Sequence, residues 1–142
     1  MGYSLRYYSS DGDRSEPFTL ALFDTGSESE YDSCRPFTYP GTDVFLICFP
    51  VNEPGCFDDV ATKWVPEVQG HLPGTPFLIV GTKADLRQNT KATGKPAGTG
   101  NRIISFEEGE QLAKRLKAEK YIECSAVTMT GVKAVFDQVF SL

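Results

Sequence analysis

Apolar positions along the chain gather into four short, almost unbroken runs: residues 18–24, 44–51, 76–81 and 121–124. Each is bounded by turn-forming or polar residues and is too short for a helix of ordinary length, so each reads as a strand. The run at 44–51, Val-Phe-Leu-Ile-Cys-Phe-Pro-Val, has no polar alternation, which predicts a strand covered on both faces. Between the runs the spacing changes. Phe57, Val60, Ala61, Trp64, Val65 and Val68 recur at intervals of three and four, the signature of a helix, with Pro66 expected to kink or shorten it. Ser105 followed by Glu108 predicts a capping box opening a helix whose inner stripe is Leu112, Ala113 and Leu116. Val132, Val135, Phe136, Val139 and Phe140 mark a last helix. Strands alternating with helices of this length predict an α/β fold with a mostly parallel sheet.

Two stretches fall outside that rhythm. Ser4-Leu5-Arg6-Tyr7-Tyr8, then Asp11-Gly12, then the strand from Phe18 predict a hairpin at the start, over 1–17. Residues 88–101 are rich in Gly, Thr and Lys without an apolar stripe and read as a mobile surface loop. A length of 142 residues fits a single domain over 1–142.

Composition narrows the classes. Forty per cent apolar and 12% aromatic residues suffice for a packed core. A net charge of −5 argues against a nucleic-acid partner, which requires a basic face. The sequence holds no apolar run of the ~18 residues that a membrane-spanning helix needs, and its first residues resemble neither a secretory leader nor a myristoylation signal. Cys34, Cys48, Cys56 and Cys124 lack paired C-x-x-C spacing and His71 is the only histidine, a poor set for zinc. The four are expected to be buried free thiols of a cytoplasmic protein. His71, between Gly70 and Leu72-Pro73-Gly74, is expected in a loop without a role, and Trp64 in the core.

The chemistry concentrates at two strand ends. Gly81-Thr82-Lys83-Ala84-Asp85 follows an apolar strand directly, where ligands of open parallel sheets sit. An aspartate there can accept from both the N1–H and the amino group of guanine, a donor pair that adenine lacks. A lysine two residues earlier can lay its stem along the base. Thr-Lys-x-Asp alone is a weak signal, and ordinary surface charge accounts for it as well. The next strand ends in Glu123-Cys124-Ser125-Ala126-Val127, whose small residues let the backbone approach a base, with the Ala126 N–H placed to donate to guanine O6. A tight strand-to-loop turn is the plain alternative. Both motifs in this order favour guanine reading.

With these stand Leu22-Phe23-Asp24-Thr25, Tyr31-Asp32, Arg35-Pro36, Tyr39-Pro40, Thr42-Asp43-Val44-Phe45, Lys63-Trp64-Val65-Pro66-Glu67, Thr75-Pro76-Phe77-Leu78 and Asp85-Leu86-Arg87. From Glu16 onward the chain resembles a Rho-family small GTPase, nearest its cell-division-control branch. The resemblance implies a small-GTPase (P-loop NTPase) fold of three α/β/α layers around a six-stranded mixed sheet, a GTP-binding signalling switch, and bound GTP or GDP with Mg²⁺. It assigns the base to Thr82, Lys83, Asp85, Ser125, Ala126 and Val127. It places Asp24 on the metal through water, and Asp24, Thr25, Gly26 and Ser27 on the phosphate side of the second switch. Glu28 stands where the family has its water-positioning catalytic glutamine. The segment from Thr25 to about Arg35 would meet effectors, exchange factors and GTPase-activating proteins.

Against that pattern, the 142 residues hold no G-x-x-x-x-G-K-[ST] phosphate loop; Gly94-Lys95 lacks the partners of one. The resemblance therefore implies a fold without the first strand, first helix and first switch, of marginal stability. The second switch reads Asp24-Thr25-Gly26-Ser27-Glu28 in place of the family's Asp-Thr-Ala-Gly-Gln, so hydrolysis by this chain is not expected. Nor do the 142 residues hold a C-a-a-X membrane anchor. Two other readings fit the same departures: a nucleotide-independent pseudo-GTPase interaction module, and a truncated gene product.

Overall fold

The computed structural model describes residues 2–8, 17–87 and 102–142, in two compact units, Met1–Pro40 and Gly41–Leu142. In the first unit β1 (Gly2–Tyr8) pairs antiparallel with β2 (Pro17–Phe23), Leu5 opposite Leu20. This is the predicted hairpin; the turn at Asp11-Gly12 lies outside the described residues. Beyond β2 come two short 3-10 turns, Ser29–Tyr31 and Arg35–Thr38. Pro36 sits in the first positions of the second turn, where its missing N–H is not needed and its fixed φ fits.

The second unit is built around a central strand. β3 (Phe45–Pro50), β4 (Phe77–Thr82) and β5 (Lys120–Glu123) form a parallel sheet in the order β3-β4-β5. Parallel neighbours need a crossover, and helices supply it. α1 (Pro54–Asp59) and α2 (Val65–His71) precede β4, α3 (Phe106–Leu116) precedes β5, and α4 (Val132–Val139) follows. β4, paired on both sides, is the most deeply covered: Leu78 and Ile79 are wholly buried, Phe77 and Val80 nearly so. Alternate residues serve opposite faces. Leu78, Val80 and Ile122 pack with Val135 of α4. On the other face the ring of Phe49 lies 5.2 Å from Phe57 of α1 and 6.2 Å from Tyr121, and Phe106 of α3 lies 5.3 Å from Tyr121. Helix, sheet, helix is the layered α/β order predicted for this part of the chain. Each fully buried aliphatic side chain contributes roughly 1.5–3 kcal/mol before entropy is set against it.

Pro66 acts as its chemistry requires. It cannot donate to the carbonyl four residues back, and the helix widens ahead of it: residues 60–64 are π-helical, with the Val65 N–H donating to the Val60 carbonyl. The Ser105–Glu108 capping box forms in both directions, at 3.2 and 2.8 Å, with Leu112 and Ala113 buried behind it.

Several expectations are corrected. The described residues form one two-stranded and one three-stranded sheet, and other details of the sequence reading change. β3 is not covered on both faces: Ile47 and Phe49 are buried while Cys48, between them on the opposite face, is exposed. The thiols are free but not buried, since Cys34, Cys48 and Cys56 are exposed and Cys124 is partly so. A run of apolar letters cannot report which face a neighbouring element covers. His71 ends α2 instead of lying in a loop, its ring Nδ1 2.9 Å from the Glu67 carbonyl. Trp64 is half-buried, with the Lys63 ammonium 4.6 Å from its ring. The segment 88–101 lies outside the described residues.

Candidate functional site

Strands β3, β4 and β5 all end toward the same edge of the sheet, and the residues beyond them are stitched together there. The Val51 N–H donates to the Thr82 carbonyl at 3.0 Å, and the Ile104 N–H to the Val51 carbonyl at 2.8 Å. The Cys124 N–H donates to the Gly81 carbonyl at 2.8 Å, and the Ala84 N–H to the Cys124 carbonyl at 3.2 Å. Two loops far apart in sequence are thereby held side by side at the carboxyl ends of adjacent strands.

The first loop leaves β4 through Lys83, which adopts φ +59. This left-handed conformation, disfavoured for a residue with a Cβ by roughly 1–2 kcal/mol, turns the chain at once into a helical bend. The Leu86 N–H bonds the Lys83 carbonyl at 3.0 Å and the Arg87 N–H the Ala84 carbonyl at 3.2 Å. Lys83 is exposed, and Thr82 and Asp85 are partly so. In the second loop Ser125 is buried. Its hydroxyl donates to Asp85 Oδ1 at 2.6 Å and accepts from the Thr128 N–H at 3.2 Å. Its N–H donates to the Thr130 carbonyl at 2.9 Å. Ala126 and Val127 face solvent, Val127 at 84%. None of the described residues accepts from the Ala126 N–H.

The geometry thus joins Thr82, Lys83 and Asp85 to Ser125, Ala126 and Val127 in one place. It also divides their labour. The Ser125 hydroxyl is occupied with Asp85 and Thr128, so what that loop offers a ligand is backbone, above all the Ala126 N–H. Asp85 keeps acceptor capacity, since a carboxylate has about four lone-pair sites and Ser125 uses one.

Sequence reasoning missed a second layer behind these loops. Glu123 accepts from Arg87 Nη1 at 2.6 Å and Nη2 at 2.7 Å, and from the Tyr121 hydroxyl at 2.7 Å. The hydrogen bond to Glu123 holds the Arg87 pKa above its ordinary value; burial, then the Glu123 carboxylate, pushes that of Tyr121 up as well. The available signal was a cation just past one motif and a carboxylate just before the other. Burial raises the Cys124 thiol pKa, with the Glu123 charge adding to it.

The residues assigned to the phosphate side lie in the other unit. Asp24, Thr25, Gly26, Ser27 and Glu28 are all exposed. Gly26 is where the family has alanine, and a Cβ there would come within 2.6 Å of the Tyr31 ring. Its carbonyl accepts from Arg35 Nη1 at 2.8 Å, while Arg35 Nη2 binds Asp32 at 2.5 Å. Buried Arg35 therefore braces an otherwise exposed segment.

Compared with known families, residues 7–142 match the sequence model of the Ras family. The chain belongs to the Ras family. Ras-family proteins are small GTPases, switches that bind GTP or GDP with Mg²⁺ and work through regulators and effectors. The parallel sheet and its helices fit that fold. Among the described residues of this Ras-family chain no group of three or more His, Cys, Asp or Glu gathers to hold a metal. Asp24, the carboxylate on which the expected metal role falls, is exposed. No helix among the described residues is long and apolar enough to cross a membrane.

Proposed function

We propose that this Ras-family chain is a Rho-like guanine-nucleotide reader of the cytoplasm that recognises the base and does not hydrolyse GTP. Asp85 accepts from the base N1–H and amino group, Lys83 covers one face, and the Ala126 N–H donates to O6. The observation that carries the reading is the Ser125–Asp85 hydrogen bond at 2.6 Å, which couples the acceptor of one loop to the donor-bearing backbone of the other. Hydrolysis is excluded from the proposal by Glu28, a negative charge where a water-positioning amide would be needed beside phosphate. Mg²⁺ would come with the phosphates of the nucleotide. Isothermal titration of the chain with GDP and Mg²⁺, repeated on Asp85→Ala, tests this: binding that Asp85→Ala abolishes supports the reading, and binding indifferent to that substitution refutes it.

One observation favours a second role for the same chain, docking of protein partners without nucleotide. Tyr31 is 48% exposed and Phe37 83% exposed, on a segment braced by Arg35. Exposed aromatics on a rigid support suit a partner interface. Partner capture that is lost in Phe37→Ala and unaffected by Asp85→Ala would establish it; capture that survives Tyr31→Ala and Phe37→Ala would refute it.

A further inference from the structure

Two cross-links join the loops at the ends of β4 and β5, and they are placed with a simple regularity. Asp85 meets Ser125; two residues later in the loop after β4 and two earlier, at the end of β5, Arg87 meets Glu123. Between them run the backbone bonds from Ala84 to Cys124 and from Cys124 to Gly81. The outer link, Asp85–Ser125, is a single hydrogen bond and leaves the carboxylate free to turn about it. The inner link is different in kind. Arg87 grips both oxygens of Glu123, at 2.6 and 2.7 Å, and a planar two-point contact fixes rotation as well as distance.

Glu123 is held from a third side. The Tyr121 hydroxyl donates to its Oε1, and the Tyr121 ring cannot shift, because it is seated against Gly81 of β4 and Gly109 of α3 so closely that a Cβ at either glycine would overlap it. Arg87 is held too: Nη2 also donates to the Ile104 carbonyl at 2.5 Å, and Ile104 is wholly buried and bonded to Val51. The inner link therefore transmits the rigidity of β3, β5 and α3 to the loop that carries Asp85.

We propose that Arg87 is a positioning residue for base discrimination: through its two-point contact with Tyr121-oriented Glu123 it sets the spacing between the Asp85 carboxylate and the Ala126 N–H. The inference rests on the guanine reading of those two groups. Arg87 itself touches no ligand. A purine edge is rigid, so its two ends are read only if acceptor and donor keep a fixed separation, and a displacement near 1 Å takes a hydrogen bond out of its range. A lysine at 87 keeps the charge and loses the second point of contact. Tyr121→Phe keeps the ion pair and loses only its orientation.

The test compares GDP with inosine diphosphate, which lacks the amino group that Asp85 would read. Affinities of both are measured by titration on the full chain and on Asp85→Ala, Arg87→Lys and Tyr121→Phe, each alongside its thermal midpoint. The expected result is a GDP-over-inosine ratio that falls roughly tenfold to a hundredfold in Arg87→Lys, falls less in Tyr121→Phe, and is lost in Asp85→Ala. A merely structural Arg87 would weaken both nucleotides by the same factor and leave the ratio intact, and that outcome overturns the proposal. A full chain that shows no GDP preference, or an Asp85→Ala that retains it, overturns the guanine reading itself, so the two failures are distinct. Amide exchange at Ala84 and Cys124, faster together in Arg87→Lys, would show the loosened spacing without nucleotide; unchanged exchange there would count against it.

Discussion

The Ser125 hydroxyl and the Asp85 carboxylate meet at 2.6 Å although 40 positions separate them in sequence. Because Ser125 is buried, its hydroxyl cannot exchange this partner for water. Ser125→Ala removes the donor to Asp85 and the acceptor of the Thr128 N–H in one step. Urea unfolding should register a loss of about 1–3 kcal/mol, and amide exchange at Thr128 should quicken. An unchanged midpoint would mean that the contact is incidental.

The start of α3 carries a pH-dependent element. Glu108 has its pKa lowered, first by the hydrogen bond from the Ser105 backbone N–H and further by Arg102. A carboxylate depressed in the folded state contributes stability above its ordinary range and loses that contribution as pH falls through the lower folded value. Wild type and Glu108→Gln should therefore differ in thermal midpoint at neutral pH and converge in acid. Ser105→Ala should lower stability by about 1 kcal/mol at neutral pH.

Tyr121 is packed without slack between two strand and helix glycines. Gly109→Ala drives a methyl into its ring, and overpacking of this kind costs about 1–3 kcal/mol. Combining Gly109→Ala with Tyr121→Leu should recover part of the loss, a non-additivity expected of residues in contact. Denaturant midpoints of the two single variants and the double variant measure it; strict additivity would remove the contact from the account.

Thiol reactivity separates the four cysteines. Cys34, Cys48 and Cys56 are exposed, whereas Cys124 is partly covered and its thiol is held protonated by burial and by Glu123. Alkylation near neutral pH, followed by peptide mass spectrometry, should label Cys124 last. Cys124 reacting ahead of the other three would contradict the environment described for it.

The legible part of this protein was its local order. The runs at 18–24, 44–51, 76–81 and 121–124 became β2 to β5 because strand cohesion is written in contiguous apolar letters. The Ser105–Glu108 cap and the disturbance at Pro66 are equally local and were readable for that reason. Which face of a strand is covered is a tertiary property, and Cys48 shows that a uniform run conceals it. At the site, Asp85 and Ala126 belong to motifs. The contact of Arg87 with Glu123 spans 36 positions and follows from packing around Tyr121, which no spacing rule encodes.

The most direct test of base reading is to change the base and the reader together. Wild-type chain should bind GDP in preference to ADP by on the order of 100-fold or more, since a site built to accept from guanine leaves its groups unpaired with adenine. Asp85→Asn replaces one acceptor with a donor, so it should lose GDP and gain xanthosine diphosphate, whose C2 carbonyl accepts where guanine donates. Equal binding of GDP and ADP by wild type, or an Asp85→Asn that still prefers GDP to xanthosine diphosphate, would contradict the account.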